Sequence, residues 1–527
     1  MKPNRSISAK LNKSTKRLRL ILGDQLNTAH SWFKQKDAAT VYLIAELKQE
    51  ACYTRHHIQK ICAFFAAMEQ FASALAQSGH QVIYLTLDET ASYQTLTTLL
   101  EAIIEAHDID TFEYQQPDEF RLLQQLQNFK PASLHINQVD TEHFLLPFGE
   151  IATTFKKHQP IKMEYFYRRM RKRFNILVDD DQPFGGKWNY DAQNRSCFKQ
   201  EDLSQIPAPL LFTNDVTTFL RRIAKNDIAA IGAAAPQLLW PINRQQARQL
   251  LNYFCHHLLA NFGTFQDAMT ANSPYQWSLY HARLSFALNA KMISPMEVIT
   301  AVMDHWEAHQ RKIDISQIEG FVRQILGWRE YVRGIYWANM PEYGSKNTLN
   351  AKRRLPAYFW TGKTKMKCMQ QVIRQSLEYA YAHHIQRLMI TGNFCLLTGI
   401  DPDEVDQWYL GIYIDAIEWV EMPNTRGMTQ FADDGIVATK PYAASGSYVD
   451  RMSDYCKSCD YNVKHKTEAT ACPFNSLYWH FVQRHQDKFK KNGRMNRVYY
   501  SWRKMDKRKQ HAIVEKAEKL LQNLDSL

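Results

Sequence analysis

Gln81-Val-Ile-Tyr-Leu-Thr-Leu87 is the stretch on which the fold turns: an uninterrupted run of aliphatic, aromatic and β-branched residues that predicts a short strand. On its N-terminal side a helical pattern covers 57–78, preceded by two more short apolar runs, Leu18 to Leu22 and Val41 to Glu46. On its C-terminal side a second helical pattern covers 91–107, and Thr111 to Tyr114 forms a further strand. Strands alternating with helices at this spacing predict a parallel sheet with crossover helices. Ligands of such sheets gather at the strand ends. Gly23-Asp24-Gln25-Leu26 follows the first strand and Glu46 closes the second. Neither forms a GxGxxG or P-loop pattern, so a nucleotide-phosphate grip is not indicated there.

Further along, residues 141–210 lack sustained periodicity and read as a connector. They hold a basic cluster (Arg168, Arg169, Arg171, Lys172, Arg173), then Asp179-Asp-Asp181 and Gly185-Gly-Lys-Trp-Asn189. Such a cluster is more often a solvated face than a phosphate clamp. From 211 onward helical periodicity dominates, over 246–259, 278–290, 295–309, 318–337, 367–383 and 512–524. The expected architecture is a basic tail (1–17), an α/β domain (18–140), a connector (141–210) and a large all-helical domain (211–527).

The formal charge of +12 points to a polyanionic partner. Six Lys or Arg and no acid fall in the first 17 residues, without the apolar segment of a secretory signal. The most apolar stretch, 228–239, is broken by Pro236, so no membrane span is expected. Nine cysteines, odd in number and unevenly spaced, do not make a disulfide framework, and a reducing cytoplasm is expected.

Three of those cysteines form a pattern of their own: Cys456-Lys-Ser-Cys459, twelve residues, then Cys472-Pro473. Two thiols three positions apart, with a third closing the loop, suit a soft metal centre. The spacing leaves zinc and iron–sulfur both open. His465 inside the loop completes a zinc site. A cubane cluster asks instead for another cysteine, with Cys368 and Cys395 nearest upstream.

Several motifs in the helical half resemble those of the photolyase–cryptochrome family. Ser278-Leu-Tyr-His-Ala-Arg-Leu-Ser285, with Asn289 and Ile293-Ser-Pro295, resembles its flavin-phosphate segment. Arg323-Gln-Ile-Leu-Gly-Trp-Arg-Glu330 resembles the helix beside its active site, and His383-His-Ile-Gln-Arg387 resembles the His-His-x-x-Arg run of (6-4) photolyases and animal cryptochromes. Asp415-Ala-Ile-Glu-Trp-Val-Glu-Met-Pro-Asn424 occupies the place of the loop against the isoalloxazine ring. Ile21-Leu-Gly-Asp-Gln-Leu26, the segment 185–189 and the cysteine pattern are similar to the iron–sulfur bacterial branch, the prokaryotic (6-4) photolyases.

The resemblance implies a Rossmann-like α/β antenna domain, an all-α FAD-binding domain with an iron–sulfur site, and light-driven repair of (6-4) photoproducts in UV-damaged DNA by a monomer. It assigns FAD to His281, Ala282, Arg283, Leu284, Ser285, Arg387, Asp415 and Asn424. It assigns a [4Fe–4S] cluster to Cys368, Cys456, Cys459 and Cys472, which makes Cys395 a core thiol. It assigns a 6,7-dimethyl-8-ribityllumazine antenna to Gly23, Asp24, Gln25, Glu46 and Glu50; carboxylates suit a neutral polyol better than a phosphate.

Within that frame His384 is the expected general acid, because imidazole changes charge near working pH. The position after Arg387 is Leu388, where eukaryotic (6-4) enzymes have a second His, so one imidazole has to suffice. Glu421 replaces the Asn that many photolyases place near flavin N5, and either relays a proton or hydrogen-bonds the ring. Trp408, Tyr409 and Trp360 are the expected electron-transfer aromatics. Trp328, Tyr442 and Tyr448 are expected walls of the lesion pocket, with the small-residue segment around Gly446 as a mobile loop over DNA. The basic residues between Lys488 and Lys509 are expected to track phosphates. A cryptochrome-like blue-light photoreceptor signalling through a partner is the alternative; a zinc-stapled nucleic-acid-binding protein leaves the flavin motifs unexplained.

Overall fold

A computed structural model describes residues 15–527. The expected basic tail lies outside the described residues except at its end, where Lys16 pairs with Asp108 and Arg17 opens the first strand. Five strands, β1 (Arg17–Leu20), β2 (Thr40–Ala45), β3 (Gln81–Leu85), β4 (Thr111–Gln115) and β5 (His135–Val139), form one parallel sheet in the order β3-β2-β1-β4-β5. Leu18 is in register with Val41 on one side and Phe112 on the other. Side-chain alternation divides β2 between two cores. Val41 and Leu43 pack with Leu99, Leu100 and Ile103 of one helix, Leu96–His107, while Tyr42 and Ile44 join Ile61, Phe65 and Met68 of another, α1 (Ile58–Gln77). Cover on both faces is why the central strands read as unbroken apolar runs.

β5 was not expected. As an edge strand it is largely exposed, so His135-Ile-Asn-Gln-Val139 carries polar residues rather than an apolar signal. The helix expected over 91–107 begins at Leu96, after a Thr95 cap that accepts from the Thr98 amide. Sheet order reverses at β1, so a crevice opens at the carboxyl end of that strand.

The connector is less irregular than its sequence suggests, because Met163–Phe174 is a helix. It buries Phe166, Tyr167 and Met170, and it also buries Arg171, which donates to the carbonyls of Ile176, Leu177 and Trp188. Arg168, Lys172 and Arg173 pair with Glu164, Asp181 and Glu150. The basic cluster is therefore part structural clamp and part solvated face.

In the helical half two expected helices are cut short. Of 278–290 only Ser285–Asn289 is helical, because the backbone turns left-handed at Leu279 (φ 48°) and Arg283 (φ 53°). The helix expected over 367–383 ends at Tyr379, where Ala380 turns left-handed (φ 53°) and frees His383 from it. The long pattern over 318–337 is present as Ile315–Val322 and α2 (Glu330–Asn339), joined by a π-type wide turn at Arg323–Arg329. Similar wide turns occur at Gln386–Gly392 and Pro423–Thr429. Such insertions re-aim side chains and are frequent at functional sites. Two further helices, α3 (Pro473–Arg484) and α4 (Lys507–Gln522), pack on each other in a third core, apart from the two that flank the sheet.

Candidate active site

The wide turns at 386–392 and 423–429 meet at Gly392, where a Cβ would stand 2.0 Å from the Thr429 methyl group. This close approach sets Arg387 above the loop that begins at Asp415. Arg387 Nη2 donates to both Asp415 carboxylate oxygens (3.0 and 3.1 Å), and Nη1 stands 3.7 Å from Glu421. Its Nε donates to the Ala382 carbonyl (2.7 Å), and its plane covers the Tyr413 ring at 3.8 Å. Burial alone would lower the Arg387 pKa, but Asp415 and Glu421 outweigh it and hold the guanidinium firmly charged. Burial, moderated by Arg387, pushes Glu421 up to about 7, so this carboxyl changes charge near neutrality. Asn289 ties the loop to the 278–290 segment by donating to the Asp415 carbonyl (2.7 Å).

That segment carries unmet hydrogen-bonding capacity. Ser278 Oγ, His281 Nε2, Arg283 Nε and both ring nitrogens of His383 are buried without a protein partner. His281 and His383 stack at 4.3 Å. Arg283 is 3% exposed, donates through Nη2 to the Leu210 carbonyl (2.8 Å) and rests on Trp277. Among the described residues no carboxylate acts on it; burial depresses it to about 10, against Tyr381 and Tyr253. A buried guanidinium is costly unless an anion answers it. The donor set fits the phosphates of a dinucleotide cofactor. Ala282 and Leu284 are buried beside it and Ser285 starts the short helix. Asn424, half-buried, donates to the Val420 carbonyl one turn earlier (2.7 Å).

His384, next to the buried His383, is exposed. The dense protein around it, then Arg387, push its imidazole down to about 4. At neutral pH the ring is neutral and carries one N–H. Trp408 and Tyr409 are both 1% exposed and meet at 5.3 Å; Tyr413 lies 5.5 Å from Tyr409 and 5.8 Å from Trp408. Trp360, 38% exposed, sits under Arg55, and the adjacent Phe359 meets Trp408 at 5.1 Å. Among the described residues Trp360 makes no ring pair with Trp408.

The expected lesion walls are not one group. Trp328 stands edge-on to Tyr331 (5.8 Å), and its neighbour Gly327 backs onto Met163 and Tyr167 of the connector helix. Tyr442 and Tyr448 are half-buried near Arg195, with Arg494 beside the first and Arg451 over the second. The segment between them is not a free loop. Asn393 holds Ala444 by two hydrogen bonds, Asn475 accepts from the Gly446 amide, and a Cβ on Gly446 would stand 2.9 Å from Cys472 Sγ. Gly446 is there because a thiol packs against it.

At the carboxyl ends of β1, β2 and β4 lies a cavity of about 130 Å³ whose walls include Gly23, Asp24, Glu50, Lys60, Asp118 and Glu119. Its charges are matched internally. The fully buried Lys291 reaches Asp24 (3.1 Å) and Asp118 (2.6 Å), and Arg121 bridges Glu50 and Glu119 at 2.8 Å each. Burial, countered by Lys291 and reinforced by Asp118, pushes Asp24 up to about 6. Asp118 Oδ1 lacks a partner. With Lys291 and Arg121 answered by acids and Lys60 by two carbonyls, the walls suit a neutral, hydroxyl-bearing ring better than a phosphate. Two expected residues are elsewhere. Gln25 accepts from the Leu22 amide and donates to the Gln115 and Gln116 carbonyls, and Glu46, wholly buried, is taken up by Tyr84, Leu87 and Arg222.

Lys60, missed in the sequence, links the two sites. It lines this cavity and donates to the Leu410 (2.8 Å) and Ala416 (2.7 Å) carbonyls; burial, against the pull of Glu119, Asp415 and Glu421, lowers it to about 8. A lysine on the apolar face of an otherwise hydrophobic helix was the available signal. Tyr413, Lys291 and Arg121 gave none, since their roles rest on neighbours distant in sequence.

Cys368, Cys456, Cys459 and Cys472 line one small cavity, Cys368 from one helix (Lys367–Tyr379) and the others from the 456–472 loop. Burial raises the Cys456 and Cys472 thiols to about 12 and Cys368 well above its usual value, with each of these three raised further by neighbouring thiolates of the set. Among the described residues no group of three or more His, Cys, Asp or Glu is arranged to hold a single metal ion. His465 does not line the cavity, and Cys395 is fully buried in the third core, with α3 and α4. Four thiols around a common space form a donor set that suits a soft metal centre.

The profile of a family described as deoxyribodipyrimidine photo-lyase-related protein matches residues 19–239. The chain is 39% identical over 511 residues to the (6-4) photolyase of Agrobacterium fabrum, covering 96% of this chain and 99% of that protein. The crystal structure of a bacterial class III photolyase from Agrobacterium tumefaciens is similar with a TM-score of 0.54 at 15% identity, over 98% of this chain and 99% of that one. The Synechocystis sp. PCC6803 cryptochrome follows with a TM-score of 0.53 at 11% identity, over 83% and 88%. The two structures speak for the fold alone. With identity at this level over 96% of its length, the chain belongs to the photolyase–cryptochrome family, on its prokaryotic (6-4) photolyase branch.

Proposed function

We propose that this protein reverses (6-4) pyrimidine photoproducts in DNA with the energy of light, using a bound reduced FAD. The observation that carries this reading is the 39% identity to a (6-4) photolyase over nearly the full length of both chains. FAD, reduced and excited, supplies the electron. Arg283, with Ser278 and His281, answers the phosphates. Arg387, held by Asp415 and resting on Tyr413, keeps a fixed positive charge beside the ring system. Glu421, poised near neutrality, hydrogen-bonds the ring as an acid or as its conjugate base. His384 is assigned to the lesion: its single N–H hydrogen-bonds the photoproduct, and a proton from solvent at its exposed edge replaces the one it gives as negative charge arrives. Trp408, Tyr409 and the exposed Trp360 form the route by which an electron enters from the surface. Trp328, Tyr442, Tyr448 and Asn424 are assigned to the pocket walls and the ring edge.

The four cysteines are assigned a [4Fe–4S] cluster with a structural role, pinning the 456–472 loop to the helix that carries Cys368. The matched charges of the N-terminal cavity support 6,7-dimethyl-8-ribityllumazine as antenna, held by Asp24 and Glu50. The divisions at 140 and 210, a monomeric state and a cytoplasmic location complete the proposal; no helix among the described residues is long and apolar enough to cross a membrane.

The test is illumination of the reduced holoprotein with DNA carrying a defined (6-4) or cyclobutane lesion. Repair of the (6-4) lesion alone is expected, with His384→Ala lowering the rate by about 10²–10⁴-fold while flavin stays bound. Repair of neither lesion would turn the reading toward a photoreceptor. Anaerobic protein is expected to contain iron and sulfide rather than zinc, and Cys472→Ser to lose both.

A further inference from the structure

An open cavity of about 760 Å³ lies between the 349–353 loop, Gly399, the carboxyl end of α3 and the last turns of α4. Lys352, Arg353, His480, Arg484 and His485 line it against one carboxylate, Glu518. None of these residues belongs to the flavin, thiol or antenna sites. Gly399 (φ 72°) shows how closely the cations gather: a Cβ there would stand 3.2 Å from Arg484 Nη1 and 3.3 Å from Arg353 Nη1. Two guanidiniums from distant segments thus crowd one point.

Their hydrogen bonds leave that charge unanswered. Arg353 donates to the Thr398 carbonyl (2.9 Å), and Arg484 Nε donates to His485 Nε2 (3.0 Å). Neither forms an ion pair among the described residues; burial and then Arg353 depress Arg484 to about 10. His480 is 8% exposed, and its Nδ1 has no partner. Burial, then Arg484 and Arg353, lower it to about 4. Elsewhere in the same half, surface cations such as Lys488 and Lys490 face carboxylates at 2.7 and 2.8 Å. The negative end of α3 accounts for favouring Arg484 and His485 at its last turn, but not for Lys352 and Arg353 arriving from another segment. Like charges held together without a counter-ion, around a buried and unsatisfied imidazole, mark a place built for an anion.

The space exceeds what inorganic phosphate fills and falls in the range of small-molecule sites. Its lining also offers Asn350, Gln522 and the Glu518 carboxylate, acceptors and donors suited to sugar hydroxyls and a base edge. We propose that this cavity binds a nucleotide-sized phosphate monoester, with the terminal phosphate between Arg353 and Arg484 and the hydroxyls toward Glu518. A free nucleotide and the 5′-phosphorylated end of a nucleic-acid strand present the same chemistry.

The test is calorimetric titration of the full-length holoprotein with AMP, adenosine, inorganic sulfate, and a short single strand with and without a 5′-phosphate. AMP or the phosphorylated strand is expected to bind at least about tenfold more tightly than its phosphate-free counterpart, a difference of about 1.4 kcal/mol. Binding of AMP alone assigns a free nucleotide, and binding of the phosphorylated strand alone assigns a strand end. Arg484→Gln and Arg353→Gln should each weaken that binding about tenfold or more, with Arg484→Lys retaining part of it and repair activity unchanged. Should either Gln variant fail to fold, the exposed Lys352→Gln and the near-isosteric His480→Gln report on the same site, each with an expected loss of about threefold or more. Equal affinity with and without the phosphate overturns the proposal, as do sulfate matching AMP or folded variants that bind as well as the parent.

Discussion

Two regions of this protein, the N-terminal cavity and the 278–290 segment, solve burial of charge in opposite ways. In the N-terminal cavity the ion pairs close on themselves: Lys291 lies between Asp24 and Asp118, and Arg121 between Glu50 and Glu119, while Lys60 is held by two carbonyls. In the 278–290 segment Arg283 has only a carbonyl and an aromatic face, and the side chains around it have unpartnered atoms. A closed network of charges holds its shape without a ligand and discriminates against another charge. An open one is completed by the ligand. The difference tells which site is built for a neutral molecule and which for an anion.

Removing a charge from the closed network should have the largest effect. Lys291→Met strands Asp24 and Asp118, and loss of one partner from a buried ionic network costs about 3–5 kcal/mol. Chemical denaturation should register that loss, together with a fall in antenna chromophore and little change in flavin per folded chain. If Lys291→Met leaves stability intact, the network is not closed in the sense argued here.

Arg283→Met should act the other way. It removes an unpaired buried charge, so the flavin-free protein should be no less stable than the parent. Flavin affinity should fall by about 1.5–3 kcal/mol, the worth of charge-assisted hydrogen bonds. Flavin absorbance against free-flavin concentration measures the second effect and thermal melting of flavin-free protein the first. A destabilised apoprotein would show that Arg283 is a structural residue.

The smallest expected effect separates the sites by pH. Glu421, raised to about 7, keeps in the folded state a proton that the unfolded chain releases near 4.5. Its contribution is therefore full below about 4.5, falls as pH rises to about 7 and is spent above that. Glu421→Gln should remove this fall, raising the melting temperature by a few degrees at pH 8 relative to the parent and by less at pH 5. Asp24 follows the same sign with its window ending near 6, so its removal should not alter the profile between 6 and 7.

Much of the frame was legible because hydrophobic periodicity is local. The pattern over 57–78 matches a helix at Ile58–Gln77 almost to the residue, with His57 as its cap. Legibility failed where a neighbour overrides local preference. The 278–290 pattern is helical by its apolar spacing, yet Leu279 and Arg283 adopt left-handed backbone, and it is this departure that leaves Ser278, His281 and Arg283 with unspent donors. Likewise the small residues around Gly446 suggest a loose loop, but contacts to Asn393, Asn475 and Cys472 hold them. Glu46 and Gln25 sit at strand ends as expected and still turn away from the cavity, because Arg222 and the Gln115 and Gln116 carbonyls claim them.

Sequence alone determined the parallel sheet, the helical half, the family motifs and the four cysteines that share one cavity, since each depends on residues close along the chain or on a recognisable pattern. Tertiary structure alone decided which charges are paired, that Lys60 joins the two sites, and that Arg353 and Arg484 converge 131 positions apart on one cavity. Pairing energies act over a few ångströms in space, and separation along the chain does not encode them.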